Sequence, residues 1–319
     1  MVGSRLRSGG ILTLVVVFTA PAFGGWRSFP TPTTKDINAV KVVSAGEAWA
    51  VGYWGEILHY ANGSWTIYHN WMTPFLQDVD FNAPNFGVAV GADGSCAFFR
   101  GSSWVWEGIT SNRDMYAVGI PRNQTEEAWA AGENGELWRW YGGVWTRVNL
   151  NTTHNIHDLF WSATGYDGWL VGDLGLCYHN SGSGWVDVNI LGTTTHFYCI
   201  NALAANNVWV GGAGGKLYHW EGVAWAPVAT PTAKAIREMA FNGPTDGWAV
   251  CDGGVILHYN GVEWSAVTPT PPTAADFSGL SMWSAQSGWA VGGDGTIYEY
   301  RNYANVTPSS LGRVKAALR

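Results

Sequence analysis

The stretch WAVGYWGEILHYANGSW, residues 49–65, decides how this chain folds, because it is repeated along the whole sequence. It returns as WAAGENGELWRWYGGVW from Trp129 and WVGGAGGKLYHWEGVAW from Trp209. A further copy, WAVCDGGVILHYNGVEW from Trp248, carries Cys251 in place of the first glycine. That anchor position falls at Gly52, Gly91, Gly132, Gly172, Gly212, Cys251 and Gly292, so successive copies are 39, 41, 40, 40, 39 and 41 residues apart. A second glycine follows three residues later in each copy (Gly55, Gly94, Gly135, Gly175, Gly215, Gly254 and Gly295). A fixed period near 40 with aromatic and glycine signatures marks a repeat architecture.

Each unit reads as four short strands. An apolar segment such as INAVKVVSA or IHDLFWSA forms strand a, and the Trp segment forms strand b. The Gly-x-x-Gly hairpin comes next, with Asp93, Asn134 or Asp294 where positive φ is expected. Strand c is the alternating EILHY-like segment, and strand d starts at the last Trp of the copy. Four antiparallel strands per 40 residues describe a β-propeller blade. The strand-d Trp occurs at 65, 104, 145, 185, 225 and 264, but the seventh place is Asn305. An unmatched Trp26 in GGWRSFPTPT supplies the missing strand, so the expectation is an all-β, seven-bladed propeller closed by its N-terminal strand.

Composition fits this. The 319 residues include 42 Gly and 21 Trp, and only 13% are charged against about 25% in ordinary domains. The net charge of −7 argues against a nucleic-acid or anionic-membrane surface. Residues 1–25 read as a signal peptide, with Arg5 and Arg7 before the apolar Ile11–Phe18 run and Thr19-Ala20-Pro21-Ala22 at the cleavage region. That run is too short to span a bilayer. The expected domains are therefore the signal (1–25), the propeller (26–304) and a basic tail (305–319), in a secreted or cell-envelope protein, periplasmic or extracellular, with no membrane span once the signal is removed. Cys96, Cys177, Cys199 and Cys251 sit at different repeat positions, which leaves both buried thiols and two disulfides open.

The pattern I.F.....GWAVG..G.I resembles the repeat of the photosystem II assembly factor family (YCF48-like), within the broader BNR and YVTN-type propellers, over nearly all of residues 26–302. The resemblance implies the fold. The T-x-D-G-G-x-T-W turn usual in that family is replaced here by HYANGSW, HNSGSGW and HYNGVEW, so its Asp-box character is lost.

Candidate chemistry is sparse. His59, His179, His219 and His258 share one place on strand c, so they are spread one per blade and are expected to be hydrogen-bonding repeat residues, not metal ligands. His154, His157 and Asp158 read as a surface cluster, since no third neutral ligand is identifiable. His196, at a similar place in the next blade, leaves a two-blade site as the remote alternative. Neither a metal nor a cofactor is assigned. Arg113, Arg122, Arg147 and Arg237 share no repeat position, and no G-x-S-x-G, H-E-x-x-H or P-loop occurs, so no catalytic residue is assigned.

Two surfaces remain. Trp54 in a b–c hairpin, with Trp71, Met72 and Phe75 in the following d–a loop, is expected to form an exposed patch, because both kinds of loop emerge on the same face. Asn38, Asp78, Asp158, Asn201 and Glu238, at the entry to inner strands, are expected to ring the channel mouth. The expectation is a non-catalytic scaffold binding a protein partner or a surface glycan. The alternatives are a glycan-processing hydrolase using channel-mouth carboxylates and a multivalent lectin.

Overall fold

Alternating apolar positions within each 40-residue unit build four antiparallel strands, which pair in the order a-b-c-d. In the first blade these are Ile37–Ser44, Glu47–Gly52, Glu56–Ala61 and Ser64–Asn70. The computed structural model describes residues 24–70, 75–122, 126–162, 167–269 and 271–302, and among these the strands form seven four-stranded sheets. The expected signal peptide up to residue 23, Trp71, Met72 and the tail lie outside the described residues. The fold is a seven-bladed β-propeller, numbered here as blades 1–7 from the strand at Ile37. Among the described residues no helix is long and apolar enough to cross a membrane.

Closure follows the N-terminal strand. Gly25–Ser28 pairs antiparallel with Ile297–Arg301, placing Trp26 opposite Tyr300, so the first strand of the chain is the outer strand of the last blade. This leaves the ring without a free edge at the joint.

The tryptophans explain how blades adhere. The strand-b Trp of one blade meets the strand-d Trp of the next edge to face: Trp49–Trp104 at 5.7 Å, Trp129–Trp185 at 5.6 Å and Trp209–Trp264 at 6.1 Å. Trp169–Trp225 (6.3 Å), Trp248–Trp26 (5.5 Å) and Trp289–Trp65 (5.3 Å) complete six such pairs, all with interplanar angles of 72–88°. At the remaining junction blade 2 has Val88 instead of Trp, and Phe98 approaches Trp145 at 6.2 Å. Edge-to-face contact sets the electropositive ring edge against the π face and contributes about 0.5–1.5 kcal/mol per pair beyond area burial.

The four cysteines are buried free thiols distributed among core clusters. The strand-c histidines stack on the strand-b tryptophans, at 3.9 Å for Trp49–His59 and Trp169–His179. Each donates to a polar residue two places before that Trp: His59 to Glu47 (3.1 Å), His179 to Asp167 (3.1 Å), His219 to Asn207 (2.8 Å) and His258 to Asp246 (2.8 Å). They are repeat residues satisfied within their own blade.

Trp26 is 1% exposed and sits at both the closing strand and the Trp248 contact. Trp26→Ala is expected to cost about 3–5 kcal/mol in urea unfolding, comparable to Trp209→Ala in an internal blade. A loss below about 1 kcal/mol would mean the closing strand contributes little to stability.

Candidate functional site

The b–c hairpins and d–a loops emerge together, and the Gly-x-x-Gly turns are what allow them to interlock. A Cβ at Gly172 would lie 1.9 Å from the Asn155 carbonyl of its own blade, and one at Gly135 would lie 2.2 Å from the Thr152 carbonyl of the next. Between the two glycines Asp93, Asn134 and Asp294 adopt φ of 53°, 58° and 56°, as their residue types suggest, and so do Trp54 (60°) and Leu174 (56°).

A polar clasp across the blades caps these turns. The residue preceding strand a accepts a hydrogen bond from the positive-φ residue of the preceding blade's hairpin. Asp36 accepts from the Asp294 N–H (2.8 Å), Asp114 from Asp93 (3.0 Å), Asn155 from Asn134 (2.9 Å) and Asp276 from Gly253 (2.7 Å). Three junctions depart from this rule: the position before strand a is Phe75 in blade 2, His196 in blade 5 and Ala235 in blade 6.

At Phe75 the clasp becomes aromatic. Phe75 contacts Tyr53 at 4.6 Å and Trp54 at 5.8 Å, and the three rings are exposed by 37%, 39% and 47%. The structure therefore places Trp54, Phe75 and, in addition, Tyr53 together on the surface. An aromatic at the first hairpin position was the sequence signal for it. Trp71 and Met72 lie outside the described residues.

At His196 the clasp becomes an ionic cluster. His157 Nε2 and His196 Nδ1 donate to the same Asp173 Oδ1, at 2.7 and 2.6 Å. Burial alone would raise the Asp173 carboxyl, but these two hydrogen bonds outweigh it and hold it below the ordinary carboxylate range. Tyr116 stacks on His157 at 5.7 Å, and Tyr198 meets the His157 ring at 5.3 Å. Arg237 lies 4.5 Å over Tyr198 and forms a two-pronged pair with Asp252, at 2.7 and 2.9 Å.

Tyr116, His157, Tyr198, Arg237 and Asp252 border a cavity of about 750 Å³ that opens on the hairpin face. Tyr53, Asp36, Asp252, Asp276 and Asp294 surround its rim, and Arg237 is the single Lys or Arg in its lining. A second cavity of about 380 Å³ enters the channel from the opposite face, past the Lys41–Asp80 ion pair (2.5 Å). Asp78, Asp158 and Glu238 border both cavities and so form the waist of the channel.

The five residues expected at the mouth therefore stand at three depths. A β-bulge interrupts the pairing of strand a at the same place in every blade, between Ile37 and Ala39 in blade 1 and between Ile156 and Asp158 in blade 4. Asn38 occupies the bulge near the hairpin face and donates to the Leu76 carbonyl at 2.7 Å. Asp78, Asp158 and Glu238 follow one residue deeper. Asn201, two residues further along, lines the opposite cavity and donates to the Met239 carbonyl at 3.4 Å.

Two of the three carboxylates join blades. Asp78 accepts from Val79 N–H (2.7 Å) and from Val118 N–H of blade 3 (2.8 Å), and Asp158 accepts from Leu159 and from Ile200 of blade 5, both at 2.7 Å. Glu238 accepts from Met239 N–H at 2.8 Å. Burial pushes Asp78 up to about 6 and Asp158 to about 7, against the pull of these backbone donors. Glu238 rises well above its ordinary range, from burial and then the nearby Asp158 charge.

No protein-family model and no curated protein sequence matches the chain. Among solved structures it is similar to YCF48 bound to the D1 peptide (TM-score 0.72, 17% identity, covering 87% of this chain and 97% of that one). It is also similar to YCF48 from Cyanidioschyzon merolae (0.71, 16%, 87% and 99%) and to virginiamycin B lyase from Staphylococcus aureus (0.77, 11%, 87% and 99%). At these identities the likeness establishes a shared fold.

Because the folded pKa of Asp158 exceeds the ordinary unfolded value of about 3.9, the fold favours the protonated form. Its stabilising contribution is complete below about pH 4 and is lost as pH rises to about 7. Asp158→Asn forfeits one backbone hydrogen bond at every pH. The stability advantage of the parent over this variant in urea unfolding is expected to shrink steadily from pH 4.5 to pH 8. An advantage that grows with pH would show that the fold favours the charged carboxylate instead.

Proposed function

We propose that this chain is an exported, non-catalytic scaffold that captures a protein partner through the hairpin face of the propeller. The observation that carries this reading is the exposed Tyr53–Trp54–Phe75 cluster, standing where four other junctions use a polar clasp, with Tyr53 lining the 750 Å³ cavity. Grouped exposed aromatics at a cavity rim supply the large, rigid contact area that recognition surfaces use. Trp71 and Met72, just ahead of Phe75 in the sequence, belong to the proposed contact. The N-terminal sequence supports export, to the periplasm, the cell surface or the medium.

The charge of the rim indicates what kind of segment fits. Asp36, Asp252, Asp276 and Asp294 surround the opening, and Arg237 is already paired with Asp252. A partner segment carrying Lys or Arg beside an apolar residue would match both the acid rim and the aromatic patch, and its association would slow with added salt. A YCF48 structure of this fold holds the D1 peptide, so peptide capture is a use to which such a scaffold is put. Asp78 and Asp158 have both carboxylate oxygens engaged by backbone N–H groups, which supports a structural role for them over glycoside hydrolysis. A surface glycan is the alternative occupant, since the half-exposed Trp54 ring offers a stacking face.

The test compares the parent chain with the Trp54→Ala/Phe75→Ala double variant, as bait in its native envelope or medium and on a glycan array. One discrete protein should be enriched by the parent, lost with the double variant and retained with Trp283→Ala, whose 49%-exposed ring lies at the opposite end of the propeller. The double variant should keep its unfolding free energy within about 1 kcal/mol of the parent, as surface substitutions do. Capture that survives the double variant would remove the patch from the reading, and a glycan signal lost with it would make the chain a lectin-like module.

A further inference from the structure

We propose that His157, Asp173 and His196 form a three-ligand site for a divalent transition metal of the zinc type at the junction of blades 4 and 5. The inference is independent of what the hairpin face binds. The ligand atoms (one nitrogen from each imidazole and a carboxylate oxygen) all lie within 4.8 Å of one another. Three different elements bring them together: His157 from the bulge of strand a, Asp173 from the first hairpin position of the same blade, and His196 from the residue before strand a of the next blade. Both nitrogens already point at one oxygen, so the bound ion would take the place of the two donated protons.

Comparison with the other blades gives a second, separate argument. Glu133 and Asp252 occupy the same hairpin position as Asp173, and each faces an arginine: Arg113 at 3.2 Å and Arg237 at 2.7 Å. An arginine stays protonated and cannot ligate a metal. Among the described residues, only at the blade 4–5 junction is the hairpin carboxylate paired with two imidazoles, each of which can offer a nitrogen lone pair. His196 also replaces the Asp or Asn that elsewhere reaches the hairpin N–H, so the junction gives up its usual clasp for this arrangement.

The chemistry of the set is that of an open site. Two imidazoles and one carboxylate suit zinc and its first-row neighbours, and three protein ligands leave a coordination position for water or an incoming ligand. The support around the ligands is rigid. Tyr116 and Tyr198 flank the His157 ring, and the Asn155 N–H donates to Asp173 Oδ2 at 3.3 Å, leaving Oδ1 for the shared position. His154 stands outside the set; its backbone N–H donates to Thr152 Oγ1 and its side chain is exposed.

The test is calorimetric titration of the chelator-treated full chain with Zn²⁺ alone, beside visible spectroscopy with Co²⁺ alone. One ion per chain is expected, with a Co²⁺ d–d band characteristic of low coordination number. His196→Ala and Asp173→Asn should each weaken Zn²⁺ binding roughly tenfold or more and remove that band, whereas His154→Ala should bind as the parent does. Should His196→Ala fail to fold, His196→Gln keeps an N–H donor toward Asp173 while removing the imidazole, and it should lose the metal while keeping the parent melting temperature. No saturable binding by the parent, equal binding by the Asp173 and His196 variants, or loss of binding in His154→Ala would each overturn the assignment.

Discussion

Blade-to-blade adhesion is the constraint on which the rest of this molecule depends. Backbone ladders run only within each four-stranded sheet, so nothing in the strand pairing joins one blade to the next. Three devices at three radii do that instead. Away from the channel, edge-to-face tryptophans pack strand b of one blade on strand d of its neighbour. On the hairpin face, glycines let a turn seat against backbone carbonyls at distances that exclude a Cβ. Around the channel, side-chain oxygens accept the inner-strand N–H groups of the following blade. Cys251 shows how local the glycine requirement is: with φ of −136° instead of about −170°, blade 6 accommodates a side chain where the other six have none.

In such a ring the junctions are near-equivalent, and a departure at one of them is informative because the common solution was available. Four junctions use an Asp or Asn before strand a to cap the neighbouring hairpin. Where Phe75 stands in that place the surface becomes aromatic, and where His196 stands the junction gathers two imidazoles on one carboxylate. The polar clasp satisfies a backbone donor at little cost, so its replacement by groups better suited to contacting something else separates candidate sites from scaffold. The same logic dismisses the strand-c histidines, which repeat a single solution in four blades.

Most of the architecture was legible in the sequence, because period, glycine spacing and the misplaced Trp26 are local signals that add up over seven copies. The positive φ of Asp93, Asn134 and Asp294 and the packing of the repeated tryptophans between blades followed from residue type and repeat position. The candidate site was less legible for two physical reasons. The bulge in strand a turns consecutive residues toward the channel region, so Asn38, Asp78 and Asn201, which lie 14, 13 and 11 residues before their blade's first hairpin glycine, stand at different depths. In addition, the contacts that define the site cross blades. His196 meets Asp173 from 23 residues away and Phe75 meets Tyr53 from 22, separations that carry no periodic signal until each blade is laid against the next. Reading down the position before strand a would have exposed both departures.

The waist of the channel shows how the blade count disciplines electrostatics. Ala39, Asp78, Ala117, Asp158, Cys199, Glu238 and Gly279 occupy the equivalent position after the bulge in blades 1 to 7. A carboxylate there gains a backbone donor from its own strand and, at Asp78 and Asp158, one from the next blade, but it is crowded by protein and raised in pKa for that reason. Two such groups on adjacent blades would add close like-charge repulsion in a poorly solvated space to the cost of burial. A ring of seven admits no more than three members without neighbours, and blades 2, 4 and 6 are such a set. The intervening blades supply the small residues and the N–H donors, so each acid sits between two blades that present no charge at that level. The alternation therefore holds the greatest number of waist carboxylates that seven blades can carry without placing two acids side by side, and two of them, Asp78 and Asp158, clasp the following blade.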